Sequence, residues 1–133
     1  MTKLYINSKL FEMVITFLCR REHVKNPGAK PYKLKVYTTW AGEPIKYNPE
    51  KLEKLNYVSV IVIAAHELGH HVKSRGSRTN REYLAEKFAI KMIKKYWPQH
   101  YKKALRFTKK TADKNLRWYT EAFTRVLEEE KNG

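Results

Sequence analysis

One cysteine, five glycines and five prolines among 133 residues leave little with which to staple or hinge a chain. With Cys19 alone no intrachain disulfide can form, which suits a reducing compartment better than secretion. Cys19 is read as a small buried core residue rather than as a redox centre or a ligand. Acidic residues are scarce: 13 Asp and Glu stand against 28 Lys and Arg, a formal net charge of +15. That surplus favours anionic partners, whether nucleic acid, acidic proteins or anionic membrane surfaces, without choosing among them. Long apolar runs are missing as well. Lys9 and Glu12 interrupt the N-terminal residues where a signal peptide would be apolar, and no run approaches the ~20 residues a membrane span needs. The expectation is a cytoplasmic chain with no membrane segment, forming one domain around a single core. There is no internal repeat, linker or low-complexity tract.

Helical spacing begins with Leu10, Phe11, Val14, Phe17 and Leu18, with Ser8 as the expected cap and Asn26-Pro27-Gly28 as the stop. Residues 32–37 alternate in part and are rich in strand formers. The Ala41-Gly42-Glu43-Pro44 turn then precedes Ile45-Lys46-Tyr47, so two short strands are expected, with a third around 38–40. Pro44 confines the strand at 45–47 to a sheet edge or a strand start. Such an edge could receive an extended peptide by backbone pairing, or could simply be an edge protected by Lys and Pro. Asn48-Pro49-Glu50 is a helix start, predicting a short helix over 49–56. Further helices are expected over 58–73, 81–96 and 114–130, with a Lys-rich segment after Pro98.

The helix over 58–73 carries His66-Glu67-Leu68-Gly69-His70. Residues four apart share a helical face, so His66 and His70 present two imidazoles to one point, with Glu67 displaced by about 100° and still within reach. Two His and an adjacent Glu in this pattern make a zinc site with its general base. Core histidines are the weaker reading, because two apposed imidazoles and a buried acid are costly without a metal to pair them. His71 projects away from the ligand face.

Two imidazoles leave a catalytic zinc one protein ligand short, and Glu82 and Glu86 share a face of the next helix, close to Ala85 and Ala89. Those alanines would let the two helices approach closely. By spacing alone, Thr79-Asn80-Arg81-Glu82 is also a capping box, in which Glu82 would bond back to the Thr79 amide.

The two blocks His66-Glu67-Leu68-Gly69-His70 and Glu82-Tyr83-Leu84-Ala85-Glu86-Lys87-Phe88-Ala89 resemble the gluzincin metallopeptidases. In that group the helix bearing both His is followed by a glutamate helix whose first Glu binds zinc. The domain size is similar to that of the minigluzincins and of ImmA/IrrE-like peptidases. The resemblance implies an α+β minimal zincin fold: an N-terminal helix, a short mixed sheet, the motif helix, the glutamate helix and a C-terminal helix. It further implies that His66, His70 and Glu82 hold Zn2+, that Glu67 is the catalytic base, and that Glu86, where Asp is usual, orients a ligand histidine. The implied activity is endopeptidase cleavage of peptides or unfolded proteins by a zinc-bound water. A His or Tyr from a downstream segment would complete the oxyanion site, and Tyr119, Tyr101, His100 and Arg117 are eligible. The resemblance also implies latency, with residues 1–7 or the acidic Glu128-Glu129-Glu130 end lying across the cleft.

The positive charge admits other readings. SprT-like proteases are similar in having a strand pair before the motif helix and in their link to DNA, but they use a third His, and no His lies between His71 and His100. A nucleic-acid-associated protein with a structural zinc would concentrate its basic surface between Lys91 and Lys114. The competing reading there is a solvated Lys-rich face.

Overall fold

The computed structural model describes residues 5–31, 44–73, 75–114 and 117–133. Its elements run α1 (Ile6–Glu22), β1 (Ala29–Pro31), β2 (Ile45–Tyr47), α2 (Pro49–Glu53), α3 (Tyr57–Lys73), α4 (Arg78–Tyr96), a 3-10 turn (Pro98–His100), α5 (Tyr101–Lys114) and α6 (Arg117–Asn132). The described chain is therefore mostly helical, with one small sheet. None of the described helices is long and apolar enough to cross a membrane.

Helix α1 starts two residues before the expected cap. Ser8 is buried inside it, and the first turn is capped from another helix: the Glu53 carboxylate accepts the Asn7 and Ser8 backbone N–H groups at 3.2 and 2.9 Å. In return the Asn7 side-chain amide donates to the Leu52 and Leu55 carbonyls, both at 2.7 Å, where α2 ends. Each helix thus satisfies orphan backbone groups of the other, and the negative charge meets the positive end of the α1 dipole. Spacing within one segment cannot reveal a cap that comes from 46 residues away. The stop also comes earlier than Asn26-Pro27-Gly28, at His23, which takes a left-handed φ of 55°. Helix α2 begins as expected, with Asn48 accepting from the Glu50 and Lys51 amides and Pro49 in the first position.

Strands β1 and β2 pair in parallel, Ala29 opposite Ile45 and Pro31 opposite Tyr47. The strand expected at 45–47 is present, and its partner at 29–31 was not expected. The strands expected at 32–37 and 38–40 lie outside the described residues, and among those described the sheet is parallel rather than mixed. The pair packs chiefly on α1, where Tyr47 stacks on Phe11 at 4.7 Å between ring centroids and donates to Glu12 at 2.8 Å. The edge strand envisaged as a substrate cradle is thus attached to α1.

The most extensive contact of the fold is between α3 and α4. Val60, Ile61, Val62, Ala64, Ala65 and Leu68 of α3 are buried, and α4 answers with Ala85, Phe88, Ala89, Ile90 and Ile93. Helix α1 packs against α3, while α5 and α6 pack on each other and on α4. The acidic end of α6 is engaged in this packing. Glu129 accepts from Tyr83 and Glu130 from Tyr101, with Lys87 and Lys94 beside them, so these two carboxylates face α4 and α5. Residues 1–4 of the other proposed inhibitory end lie outside the described residues.

At the α3–α4 crossing the backbones nearly touch. A Cβ on Gly69 would sit 2.8 Å from the Ala85 carbonyl oxygen and 2.9 Å from its Cα, closer than real Cβ atoms approach backbone. Helix propensity alone says that Gly69→Ala should stabilise by up to about 1 kcal/mol. The crossing predicts the opposite sign, a loss of about 1–3 kcal/mol as the helices are wedged apart. Denaturant unfolding of the variant decides between the two.

Candidate metal centre

The crossing at Gly69 and Ala85 brings the residue after the glycine, His70, against Glu82, one turn before the alanine. His70 Nε2 lies 3.0 and 3.1 Å from the two Glu82 carboxylate oxygens and 3.1 Å from His66 Nε2, and His66 Nε2 lies 3.4 Å from Glu82 Oε2. Ligand atoms held about 2.0–2.1 Å from a tetrahedral zinc stand roughly 3.3–3.4 Å apart, so the three donors are spaced much as a shared ion requires. Glu67 belongs to the same group: a carboxylate oxygen of Glu67 and one nitrogen each of His66 and His70 all lie within 4.8 Å of one another. His66 and Glu82 are buried, while the His70 side chain keeps 21% exposure and Glu67 is half-buried. The cluster therefore opens to solvent on the side of His70 and Glu67.

The capping-box alternative for Glu82 fails. Helix α4 starts three residues earlier than its spacing suggested, Ser77 is the cap and accepts the Asn80 amide at 3.2 Å, and Thr79 lies inside the helix. Glu82 is then in the second turn, free to face α3.

Behind the donors a chain of polar contacts fixes their orientation. Glu86 Oε1 lies 2.9 Å from His66 Nδ1, and Thr108 Oγ1 on α5 donates to Glu86 Oε2 at 2.7 Å. Glu86 is 1% exposed and Thr108 fully buried. A carboxylate on Nδ1 keeps the proton there and leaves the Nε2 lone pair for the ion, which is the usual way a ligand imidazole is held. The longer side chain of Glu compared with Asp does not prevent this contact. Phe123 of α6 stands edge-on to His66 at 5.6 Å between centroids, and Tyr119, one turn earlier, packs on Phe123 at 5.7 Å.

The electrostatics of the cluster ask for a cation. Burial pushes the His66 imidazole down, but its bonds to Glu82 and Glu86 outweigh burial and hold it well above its ordinary value of 6.5. Burial likewise pushes Glu82 up, yet the bonds to His66 and His70 hold it far below the usual carboxylate range. That balance favours a positive charge beside the two carboxylates, which a proton on His66 or a bound cation held by His66, His70 and Glu82 would supply. The donor set of two imidazoles and a carboxylate suits zinc.

Of the downstream residues singled out beside the motif, Tyr119 is the one whose described side chain reaches the cluster. Tyr119 bonds to Glu82, and its hydroxyl is pushed up to about 12 by burial first and then by the charges of Glu82 and Glu67. Tyr101 is engaged with Glu130 at 2.6 Å, and His100 stacks edge-on with Tyr57 at 5.1 Å, so neither contributes. The Arg117 side chain lies outside the described residues. His71 stays apart from the donors as projected; its Nε2 is buried with no partner among the described residues, and burial, then the His70 charge, lowers its pKa. Cys19 is buried in the core, where burial raises its thiol. Thr108 is the contributor that the sequence did not signal, since a threonine on a Lys-rich helix carries no pattern that marks it.

Three outcomes follow. His66→Ala should abolish stoichiometric zinc and Glu82→Gln should weaken it strongly in a chelator competition, while full occupancy in Glu82→Gln would remove Glu82 as a ligand. Thr108→Val, which keeps the shape and deletes the donor, should weaken zinc by about 10-fold, and Thr108→Ser should restore it. In the chelated protein, the raised His66 stabilises fully below pH 6.5 and is lost as pH rises through its folded value, while the lowered Glu82 stabilises above pH 4.5 and is lost on acidification. Thermal melting in chelator should thus show its maximum between those values and fall towards pH 8, whereas the extra stabilisation from zinc should grow with pH.

The chain matches no protein-family model, no curated protein and no solved structure, so the chemistry assigned to the cluster rests on its geometry.

Proposed function

We propose that this chain is a small zinc-dependent endopeptidase of the gluzincin type, acting on peptides or unfolded protein through His66, His70, Glu82 and Glu67. The observation that carries the reading is the meeting of two imidazoles and the Glu82 carboxylate at one point, with an uncommitted carboxylate, Glu67, on the open side. The α3–α4 pair beside a short sheet is read as the minimal zincin arrangement. Bound zinc would supply Lewis acidity and bring the pKa of a water towards about 7.

The residues of the chain do the rest. Glu67 takes a proton from the attacking water as its oxygen adds to the peptide carbonyl, then passes that proton to the departing amine nitrogen. Tyr119, a phenol held at the cluster by its bond to Glu82, carries its proton at neutral pH and so can donate to the carbonyl oxygen as negative charge develops there. Glu86 and Thr108 hold His66 still, and Phe123 covers the inner side of its ring.

A structural zinc in a nucleic-acid-associated protein fits the cluster less well. Structural sites are closed by four protein ligands, whereas here the side of His70 is partly exposed and faces an acid suited to proton transfer. The SprT-like alternative needs a third His downstream of the motif, and no His lies between His71 and His100.

Glu67→Gln should retain about one zinc per chain and lose cleavage of casein or an unfolded polypeptide. A wild-type protein that holds zinc and cuts no unfolded substrate would overturn the reading. Tyr119→Phe should lower kcat by about 10²-fold with KM little changed, as expected for a group that acts on the developing oxyanion.

A further inference from the structure

Helix α5 has two faces with different work. Its inner face carries Thr108, which holds Glu86 on the Nδ1 side of His66, so α5 lies on the far side of that ring from the donor atoms. Its outer face exposes Lys102, Lys103, Arg106, Lys109, Lys110 and Lys114, with Asp113 as the one acid on the helix. Lys109 pairs with Asp113 at 3.1 Å. The other five cations make no hydrogen bond or ion pair with a described residue, whereas Lys87, Lys94 and Lys95 of α4 are paired with Glu129, Glu130 and Glu22.

The unpaired row is costly in its placement. Lys102, Arg106, Lys110 and Lys114 follow one another at intervals of four, so each stands beside a like charge on the same stripe, and like charges at that spacing destabilise a helix. Lys102 and Lys103 also sit in the first turn, where the helix dipole already places positive charge. A face built to stabilise by solvation would intersperse acids, as α4 and α6 do between them. Arg106 and Lys110 of the row, with Lys103 and the Lys109–Asp113 pair, line one side of a groove of about 720 Å³ between α5 and the start of α3, and Asn56 and Tyr57 line the other. Tyr57 is 50% exposed and presents a ring at the groove.

We propose that this groove and the outer face of α5 form a docking surface for single-stranded nucleic acid. The cation row neutralises successive phosphates, and Tyr57 offers a stacking surface to a base, the combination that sequence-tolerant single-strand binding uses. An acidic polypeptide would match the charge and make no use of the ring. Because α5 stands behind His66, docking leaves the open side of the metal cluster clear, and the proposal does not depend on the peptidase reading.

The test is fluorescence anisotropy with a labelled mixed-sequence oligodeoxynucleotide of about 20 bases and the full chain, over a salt series. The variant Lys102→Gln/Arg106→Gln/Lys110→Gln/Lys114→Gln should bind at least about 100-fold more weakly at low salt, with the slope of log K against log salt reduced by about 2 to 3. An equal loss of charge elsewhere, Lys25→Gln/Lys30→Gln/Lys51→Gln/Lys131→Gln, should cost no more than about threefold. Tyr57→Ala should weaken the single strand and leave the slope unchanged. The α5 variant should melt no lower than wild type, since it removes like-charge contacts. Glu67→Gln should bind the oligonucleotide as wild type does, whatever its effect on cleavage. Equal losses in the two quadruple variants, a fall in melting temperature of the α5 variant, tighter binding of the matching duplex, or tighter binding of polyglutamate than of the oligonucleotide would each overturn the proposal.

Discussion

The arrangement depends on one close contact, that of the α3 backbone at Gly69 with the α4 backbone at Ala85. A side chain even one carbon long at Gly69 would overlap backbone that cannot step aside. With the crossing this tight, His70 and Glu82 flank it on the two helices and their polar atoms meet at 3.0 Å. The apolar surfaces of both helices, from Val60 to Leu68 and from Ala85 to Ile93, supply the drive for association, and the small residues set how near it can go. Precision at the donor atoms is a consequence of backbone packing.

That packing buries the His66 imidazole and the Glu82 and Glu86 carboxylates, with His70 partly covered, which in an apolar interior would be strongly unfavourable if unpaired. A positive charge at its centre, a proton on His66 or a bound metal ion, would resolve this. Glu86 and Thr108 extend the solution outwards, so α5, which contributes no donor, still governs how His66 is aimed. Helix α6 contributes Phe123 and Tyr119 from above and is tied down at its other end by the bonds of Glu129 and Glu130 to Tyr83 and Tyr101.

Much of the site was legible in the sequence because its residues lie at helical spacing on consecutive helices. His66 and His70 are one turn apart, and Glu82 and Glu86 share a face beside Ala85; spacing defined the two faces, and the resemblance to the gluzincins implied that they meet. What stayed hidden came from elsewhere in the chain. The cap of α1 is Glu53, and the support of Glu86 is Thr108 on α5; neither has a local signature. The capping-box alternative for Glu82 could not be dismissed by spacing, and it fell only when α4 was seen to begin at Arg78 with Ser77 as its cap. Of the sheet, Ile45–Tyr47 was readable from its turn and strand formers, whereas β1 ends on a proline and carries almost no strand signal. Tyr119 was one of four candidates, and packing against Phe123 and bonding to Glu82 set it apart from Tyr101 and His100, whose side chains are engaged elsewhere.

The central claim is that His66, His70 and Glu82 share one zinc ion and leave a position open beside Glu67. X-ray absorption at the zinc edge of the purified protein tests it most directly. The account predicts about one zinc per chain in an all nitrogen and oxygen shell at about 2.0–2.1 Å, with the outer-shell signature of two imidazoles and no sulfur. A sulfur shell at about 2.3 Å, a third imidazole, or no stoichiometric zinc would contradict it.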